Sequence, residues 1–226
     1  MSAVSYRLPL FLLPLVLFPG TSMPLHIFEP RYREMLADCR RGDGRFGIAL
    51  VGGGEERELP AGHVGCVAEL RDVQTLPDGR ANVLVDGTHR FALQRFVDDD
   101  APYHVGLVED YDDVPGDDSA ATSLAAARVR EAFARVGRAA RAIADDEAPV
   151  PELPDDPALV AFRVASLVDF ERADRQALLV SRSALARLRT VDALLRSAVA
   201  SIEERAATHT RARHNGHGPR GALGTA

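Results

Sequence analysis

Lysine is absent: every one of the 27 basic residues in this sequence of 226 is an arginine. That absence removes the P-loop, whose lysine must reach the nucleotide phosphates, together with Ser–Lys nucleophile pairs, Schiff-base lysines and kinase-type ATP sites. Cysteine is almost as scarce. Cys39 and Cys66 make no CxxC, no Cys/His cluster and no disulfide framework, so they read as buried, reduced thiols, and Cys66 lacks the partner spacing that marks a catalytic thiol. No apolar run reaches the roughly 20 residues that cross a bilayer. Leu8 to Phe18 (LPLFLLPLVLF) comes nearest, but Pro9 and Pro14 interrupt it and no small-x-small cleavage site follows. It reads as a buried strand with proline at its ends rather than a signal peptide. The expectation is a cytoplasmic protein without a membrane partner. Charge of one sign is also in short supply: 27 basic against 33 acidic residues leave −6, which argues against a bulk nucleic-acid coat.

With 46% hydrophobic and 27% charged residues, the chain has the composition of an ordinary globular protein. Its patterning predicts a strand-rich unit over residues 1–118, a helical bundle over 119–207, and a Gly/His/Arg-rich tail over 208–226 that has nothing to bury and is expected to be disordered. In the first unit, Leu15 to Phe18 is a short apolar run stopped by Pro19-Gly20, and Met23 to Phe28 is a second extended piece. Glu29-Pro30 opens a helix, with Tyr32, Met35, Leu36 and Cys39 on one buried face and Gly42-Asp43-Gly44 at its end. Phe46, Ile48 and Leu50 alternate as a strand, followed by a polar loop with Gly52-Gly53-Gly54. Val64 to Leu76 and Ala81 to Val85 flank a hairpin turn. Asp86-Gly87 is expected to turn again before His89 to Val97, and Tyr103 to Tyr111 supplies the last strand. Short strands at this spacing indicate a small barrel or half-barrel. The aspartates at 98–100, 110, 112–113 and 117–118 read as solvated loops that keep strand edges soluble; no EF-hand spacing accompanies them.

In the second unit, Val129, Phe133, Val136, Ala140 and Ile143 recur at helical spacing. Asp156-Pro157 starts a helix carrying Leu159, Phe162, Val164 and Leu167. Asp174 is expected to cap a turn through Leu178 to Val180, and Ser183 to cap a final helix with Leu185, Leu188, Val191, Leu194, Leu195, Val199 and Ile202. The fold class is therefore α+β.

The segment Leu13 to Leu36, with FPG followed by PLHIFEPRYR, strongly resembles the opening of the N-terminal, substrate-binding domain of Lon proteases. Further matches are Arg45 to Ile48, Val64 to Glu69, Leu76 to Arg80 and Gly87 to Phe91. The helical half resembles the bundle that follows the barrel in that family, so the resemblance covers about Leu8 to Ala207. It implies a PUA-like β-barrel followed by a helical bundle, and a role in recognising unfolded or tagged substrates. The missing lysine independently excludes the Walker lysine and the Ser–Lys pair of Lon, so the chain looks like a stand-alone, non-catalytic member of the family.

Phe11, Leu12 and Leu13 are candidates for a polypeptide-binding groove between barrel and bundle, as an outward apolar patch beside an open strand edge that β-augmentation could use; the competing reading is ordinary core. His26, Phe28, Glu29, Arg31, Tyr32 and Arg33 complete the candidate groove. His26 has no nucleophile or metal partner in its spacing, and Ser22 stands outside any GxSxG, so a structural histidine competes with a functional one. Arg31 and Arg33 read as braces of the helix through Glu29 or Glu34 against direct ligand contact. The residues therefore predict no catalytic set, no metal site and no cofactor. Partners are unfolded or client proteins and a separate protease, with an adaptor or regulator role in proteolysis. The alternative is an RNA-binding PUA-like protein, supported by the basic tail with Arg205, Arg211, Arg213 and Arg220 and opposed by the acidic balance. A hydrolase with an unrecognised site is the third reading.

Overall fold

A computed structural model describes residues 4–52 and 59–198. The rest of the Gly-rich loop (53–58), Val199 and Ile202 of the expected final helix, and the tail lie outside the described residues.

Six strands come first: β1 (Ser5–Leu13), β2 (Ser22–Ile27), β3 (Arg45–Leu50), β4 (Val64–Thr75), β5 (Ala81–Val97) and β6 (His104–Asp110), with α1 (Pro30–Arg41) between β2 and β3. Four helices follow: α2 (Ser119–Ala144), α3 (Pro157–Leu167), α4 (Arg172–Val180) and α5 (residues 184–198). The sheet runs β2-β5-β4-β3-β1-β6, and β6 also pairs with β5. The pairings β5–β4–β3–β1–β6–β5 thus return on themselves, with β2 outside the circuit. Among the described residues only β1 and β3 run parallel, Leu10 opposite Gly47 through Leu13 opposite Leu50. Closure works because β5 is 17 residues long: its first half lies between β2 and β4, its second half beside β6.

Strand β1 shows why the apolar N-terminal run is buried on both faces. Leu8, Leu10 and Leu12 point into the barrel against Phe91, Leu93 and Val108. Phe11 points the other way, its ring 4.2 Å from that of Tyr32 on α1. Pro9 sits inside the strand rather than at its end, opposite Val105 of β6. It is tolerated because the pairing with β3 begins only at Leu10, so its missing N–H faces no partner. The expected strand at Leu15 to Phe18 is instead an irregular segment whose Val16, Leu17 and Phe18 are buried in the larger core.

Asp86-Gly87 does not turn; β5 runs straight through it. The glycine serves a close approach. Gly87 N donates to Thr21 O at 2.8 Å, Gly20 N donates to Gly87 O at 2.8 Å, and a Cβ at Gly87 would lie 2.2 Å from the carbonyl oxygen of Phe18. The helical unit starts on aspartate caps. Asp118 accepts from the amides of Ala120 and Ala121, and Asp156 from Ala158, with Pro157 at the first position of α3. The amide of Ala186 donates to Ser183 Oγ at 3.0 Å, so Ser183 caps α5. Glu171, not Asp174, precedes α4; Asp174 lies in its first turn. The buried stripe of α2 begins at Thr122 and ends at Val136, so Ala140 is exposed and Ile143 half-buried.

Barrel and helices share one core. The rings of Phe18 and Phe162 stack with centroids 5.6 Å apart, a contact that contributes about 0.5–1.5 kcal/mol beyond its burial. Gln176 of α4 donates to the carbonyl of Val64 at 2.9 Å. At the centre of the junction Asp113 lies between two buried arginines, Arg90 of β5 and Arg187 of α5. The acidic stretch is largely exposed, as solvated loops are, but several of its members also have fixed partners. Asp113 joins the two units, Asp117 accepts from Ser183 Oγ and the Leu185 amide, Asp118 caps α2, and Asp99 pairs with Arg7.

Candidate functional site

The candidate residues named from the sequence separate into two groups. Phe11, Leu12 and Tyr32 are 4%, 4% and 2% exposed; they are core, so for Phe11 and Leu12 the structure gives the ordinary-core reading rather than the outward patch. The reason is the two-faced burial of β1, which is also paired with β6 along Ser5–Leu10 and with β3 along Leu10–Leu13. Leu13 is half-buried. Barrel and bundle meet through packed side chains. A cleft of about 310 Å³ does open between them, but between Pro14–Val16 and residues 169–175, away from the residues named.

His26, Phe28, Glu29, Arg31 and Arg33 do share one neighbourhood, around the end of β2 and the start of α1. β2 is the sheet's outer strand, paired only with β5. Its burial alternates, leaving Ser22, Pro24 and His26 exposed on one face. Across the ladder Ser22 opposes Asp86, Pro24 opposes Leu84 and His26 opposes Asn82; beyond them β4 adds Asp72 opposite Leu84 and Gln74 opposite Asn82. Pro24, His26, Leu84, Asn82, Gln74 and Asp72 together line a shallow depression of about 370 Å³. Asn82 Oδ1 holds His26 Nδ1 at 2.8 Å, which fixes the ring. Phe28 stacks on that ring at 6.1 Å between centroids and is itself 59% exposed. An aromatic shelf thus stands beside an apolar floor with amide groups, with Asp72 on one rim. Pro24 removes an N–H from the one strand whose outer side is open, so addition of a further strand is disfavoured and contact with the face is favoured.

The charged residues here brace. Glu29 precedes α1 without a side-chain cap bond and instead accepts from Arg31 Nε at 3.0 Å and Nη2 at 2.9 Å. The Arg31 guanidinium also covers the Tyr32 ring at 4.4 Å. Arg33 lies against the β4–β5 turn: Gly79 has φ +81°, and a Cβ there would meet Arg33 Nη2 at 2.1 Å. Arg31 is thus held at the start of α1 by Glu29, and Arg33 packs against the hairpin turn.

Chemistry in this neighbourhood is limited by what the polar groups already do. The Ser22 hydroxyl donates to Asp86 at 2.5 Å, so it is not aimed at His26. A Thr–His–Asp contact chain lies elsewhere: Thr88 Oγ1 is 3.0 Å from His89 Nδ1, and His89 Nε2 is 3.5 Å from Asp110 Oδ1. The Tyr6 hydroxyl sits 3.2 Å from His89 Nε2 and donates to Asp110 at 3.1 Å, while Thr88 donates to the carbonyl of Val67. The side chains hold strands together rather than presenting a nucleophile. Burial pushes the Cys66 thiol well up, and burial together with Asp43 and Asp38 pushes Cys39 to about 12, so both are poor nucleophiles. Among the described residues no group of three or more His, Cys, Asp or Glu is placed to hold a metal ion, and no helix is long and apolar enough to cross a membrane.

The residues that sequence reasoning missed here are Asp72, Gln74, Asn82 and Leu84. They reach the face because β5 inserts between β2 and β4; the hairpin turn announces the β4–β5 pairing, but no local signal in the sequence announces the β2–β5 pairing.

Comparison with known proteins agrees with this architecture. The chain is 28% identical to, and superposes with a TM-score of 0.60 on, the crystal structure of a Lon N-terminal domain protein from Xanthomonas campestris, covering 83% of this chain and 98% of that one. The N-terminal domain of the Mycobacterium avium complex Lon protease shares the fold at a TM-score of 0.66 and 17% identity, over 84% of this chain and 98% of that one. Lon protease of Trichlorobacter lovleyi is 26% identical over 183 residues, 80% of this chain and 22% of that protein. Lon protease of Geobacter metallireducens is 28% identical over 141 residues, 62% of this chain and 17% of that protein. The chain thus spans about a fifth of the length of these curated relatives. The family model described as the ATP-dependent protease La (LON) substrate-binding domain matches residues 7–197, reaching into every strand and helix of the described residues, and it is to this family that the chain belongs.

Proposed function

We propose that the chain binds segments of unfolded or client polypeptide on the outer face of β2, β5 and β4, without catalysing a reaction on them, as an adaptor or regulator beside a separate Lon-type protease. The observation that carries the reading is the exposed Phe28, 59% accessible and stacked on the ring of His26 above the Pro24–Leu84 floor. An exposed aromatic ring next to an apolar depression offers a docking segment both an anchor and a floor. Family membership supports the substrate class. The broken edge at Pro24 supports docking by side chains over β-augmentation.

Fluorescence anisotropy with labelled casein, an unfolded chain, tests it at low and high salt. Phe28→Ser should weaken binding about 5- to 30-fold, the loss expected of an aromatic anchor, while Tm stays within about 1 °C because the ring is exposed. Equal binding by wild type and variant overturns the site. Hydrolysis of peptide or ATP by the pure protein overturns the non-catalytic reading. Binding of single-stranded RNA instead, falling steeply with salt, transfers the function to nucleic acid.

A further inference from the structure

The exposed face of β2, β5 and β4 carries an excess of carboxylates. Glu69 lies opposite Asp86 in the ladder, and two residues further along β5 Asp72 lies opposite Leu84. Directly opposed residues share a face, so all three acids stand on the side that holds Pro24 and His26. The arginines beside them already have acidic partners. Arg71, which the β4 register skips between Leu70 and Asp72, reaches Asp86 at 3.6 Å. Arg45, opposite Glu69 on β3, donates through Nε to Asp43 at 2.7 Å. The row thus sets four carboxylates, Asp43, Glu69, Asp72 and Asp86, against two guanidinium groups. Around its margins Arg80 pairs with Asp78 and Arg31 with Glu29, while Arg33 lies at Gly79 in the turn beyond the Thr75–Ala81 pair.

Asp72 is the acid this accounting leaves over. It is the one carboxylate lining the depression beside Pro24, His26 and Leu84, and no arginine lines it. Its Oδ1 accepts from the Val73 amide at 2.9 Å, and among the described residues no cation pairs with it. A carboxylate on the rim of an apolar floor selects an occupant of opposite charge. A second copy of the chain fits poorly, because a two-fold contact sets the same patch against itself and would bring acid onto acid. A phosphate backbone is repelled outright.

Building on the client-binding reading above, we infer that this face selects segments in which a lysine or arginine stands two residues from an aromatic or large aliphatic side chain. The apolar side chain lies against the rings of Phe28 and His26 and the Pro24–Leu84 floor, and the cation meets Asp72. The spacing follows from the sheet. Asp72 is on the second strand from β2, roughly 10 Å across at about 4.8 Å per strand, and in an extended segment residues i and i+2 point the same way about 7 Å apart. The length of a lysine or arginine side chain covers the remainder. Selection by an exposed carboxylate is salt-sensitive and sets preference among clients more than total affinity.

The test uses three fluorescein-labelled, Gly/Ser-based peptides of about 12 residues, each with one phenylalanine and, two residues on, a lysine, a glutamine or a glutamate. Anisotropy with the full chain at low salt should show the lysine peptide binding about 3- to 10-fold tighter than the glutamate peptide, with glutamine between. High salt should shrink the ratio below about twofold. Asp72→Asn should bring the lysine peptide down to the glutamine one, and Asp72→Lys should reverse the order, which loss of folding could not produce. Asp72 is exposed, so both variants keep the fold. Phe28→Ser should weaken all three peptides alike. Equal binding of the three that Phe28→Ser still weakens leaves the client site in place and overturns the charge selection. An Asp72→Lys variant with the wild-type order overturns it too, as does no binding of the lysine peptide up to about 1 mM. Failure of the chain to bind labelled casein is the separate failure of the client reading. Sedimentation of the chain alone as a dimer that Phe28→Ser dissociates would give the face to a second copy and overturn the inference.

Discussion

Replacing Asp113 with asparagine tests how barrel and bundle are joined. Asp113 Oδ1 accepts from Arg90 Nη2 at 2.5 Å and from Arg187 Nη1 at 2.6 Å, and Oδ2 accepts from Arg187 Nη2 at 2.6 Å. The arginine side chains are 5% and 1% exposed and Asp113 33%. Backbone carbonyls supply further acceptors: Leu179 and Ser181 for Arg90, Ser181 and Ala158 for Arg187. In the Asp113→Asn variant one carboxylate oxygen becomes an NH₂ that faces a guanidinium donor, and two like charges remain without a counter-charge. Breaking a buried pair costs about 3–5 kcal/mol. The one-third exposure of Asp113 lets water compensate in part, which places the expected loss at the lower end, about 3 kcal/mol. For a domain of this size that lowers Tm by about 6–12 °C. Calorimetry and urea denaturation of the two pure proteins measure it. A loss below about 1 kcal/mol would mean that the carbonyls and water hold both guanidinium groups alone, and the reasoning would fail.

The same site has a pH signature. Burial works to raise the Asp113 carboxyl pKa, but hydrogen bonds and charge from Arg187, then Arg90, overcome it and hold the group below the usual carboxylate range. The folded pKa is thus lower than the unfolded value of about 3.9. The associated stability is fully present above that value and is lost as pH falls through the folded pKa. Between pH 5 and about 2, wild type should lose stability more steeply than Asp113→Asn, and the two Tm curves should converge.

Three further outcomes follow from the fold. Gly87→Ala, which places a Cβ 2.2 Å from the Phe18 carbonyl oxygen, should destabilise by about 2 kcal/mol or more in urea denaturation; an unchanged midpoint would show that β5 can shift there freely. Asp118→Ala, which leaves the amides of Ala120 and Ala121 uncapped, should lower stability by about 1 kcal/mol, and no change would mean that water caps α2 equally well. Cys39 and Cys66, both buried with thiol pKa values pushed upward, should resist a thiol reagent at neutral pH in the native protein and react promptly in denaturant; fast native labelling would contradict their burial.

The helices were legible because their signals are local. Pro30 with Tyr32, Met35, Leu36 and Cys39 defines α1 within one segment, and Asp156-Pro157 and Ser183 mark the starts of α3 and α5 by cap chemistry that involves neighbours a few residues away. The hairpin at Leu76–Arg80 was legible for the same reason. Strand β5 was misread at Asp86-Gly87 because a glycine needed for close approach to Phe18 has the same one-letter signature as a glycine needed for a turn. The candidate site was half legible. His26 and Phe28 stand out on the surface, whereas Phe11 and Tyr32 face each other across β1 and α1 and Leu12 points into the barrel.

By itself the sequence determined the family, through the block from Leu13 to Leu36, and the classes of lysine-dependent chemistry that the chain lacks. It also determined where α1, α3 and α5 begin, since capping and proline effects act over a single turn, but not α4, which follows Glu171 rather than Asp174. Tertiary structure alone decided which apolar residues face out, that Asn82 and Leu84 join Pro24 and His26 on one face, and that Asp113 is a buried-junction counter-charge while neighbouring aspartates cap helices. Those outcomes depend on pairings across tens of residues. An aspartate or a leucine has the same local preference whether its distant partner is a guanidinium, an aromatic ring or water, so the partner that decides its role is set only when the chain closes on itself.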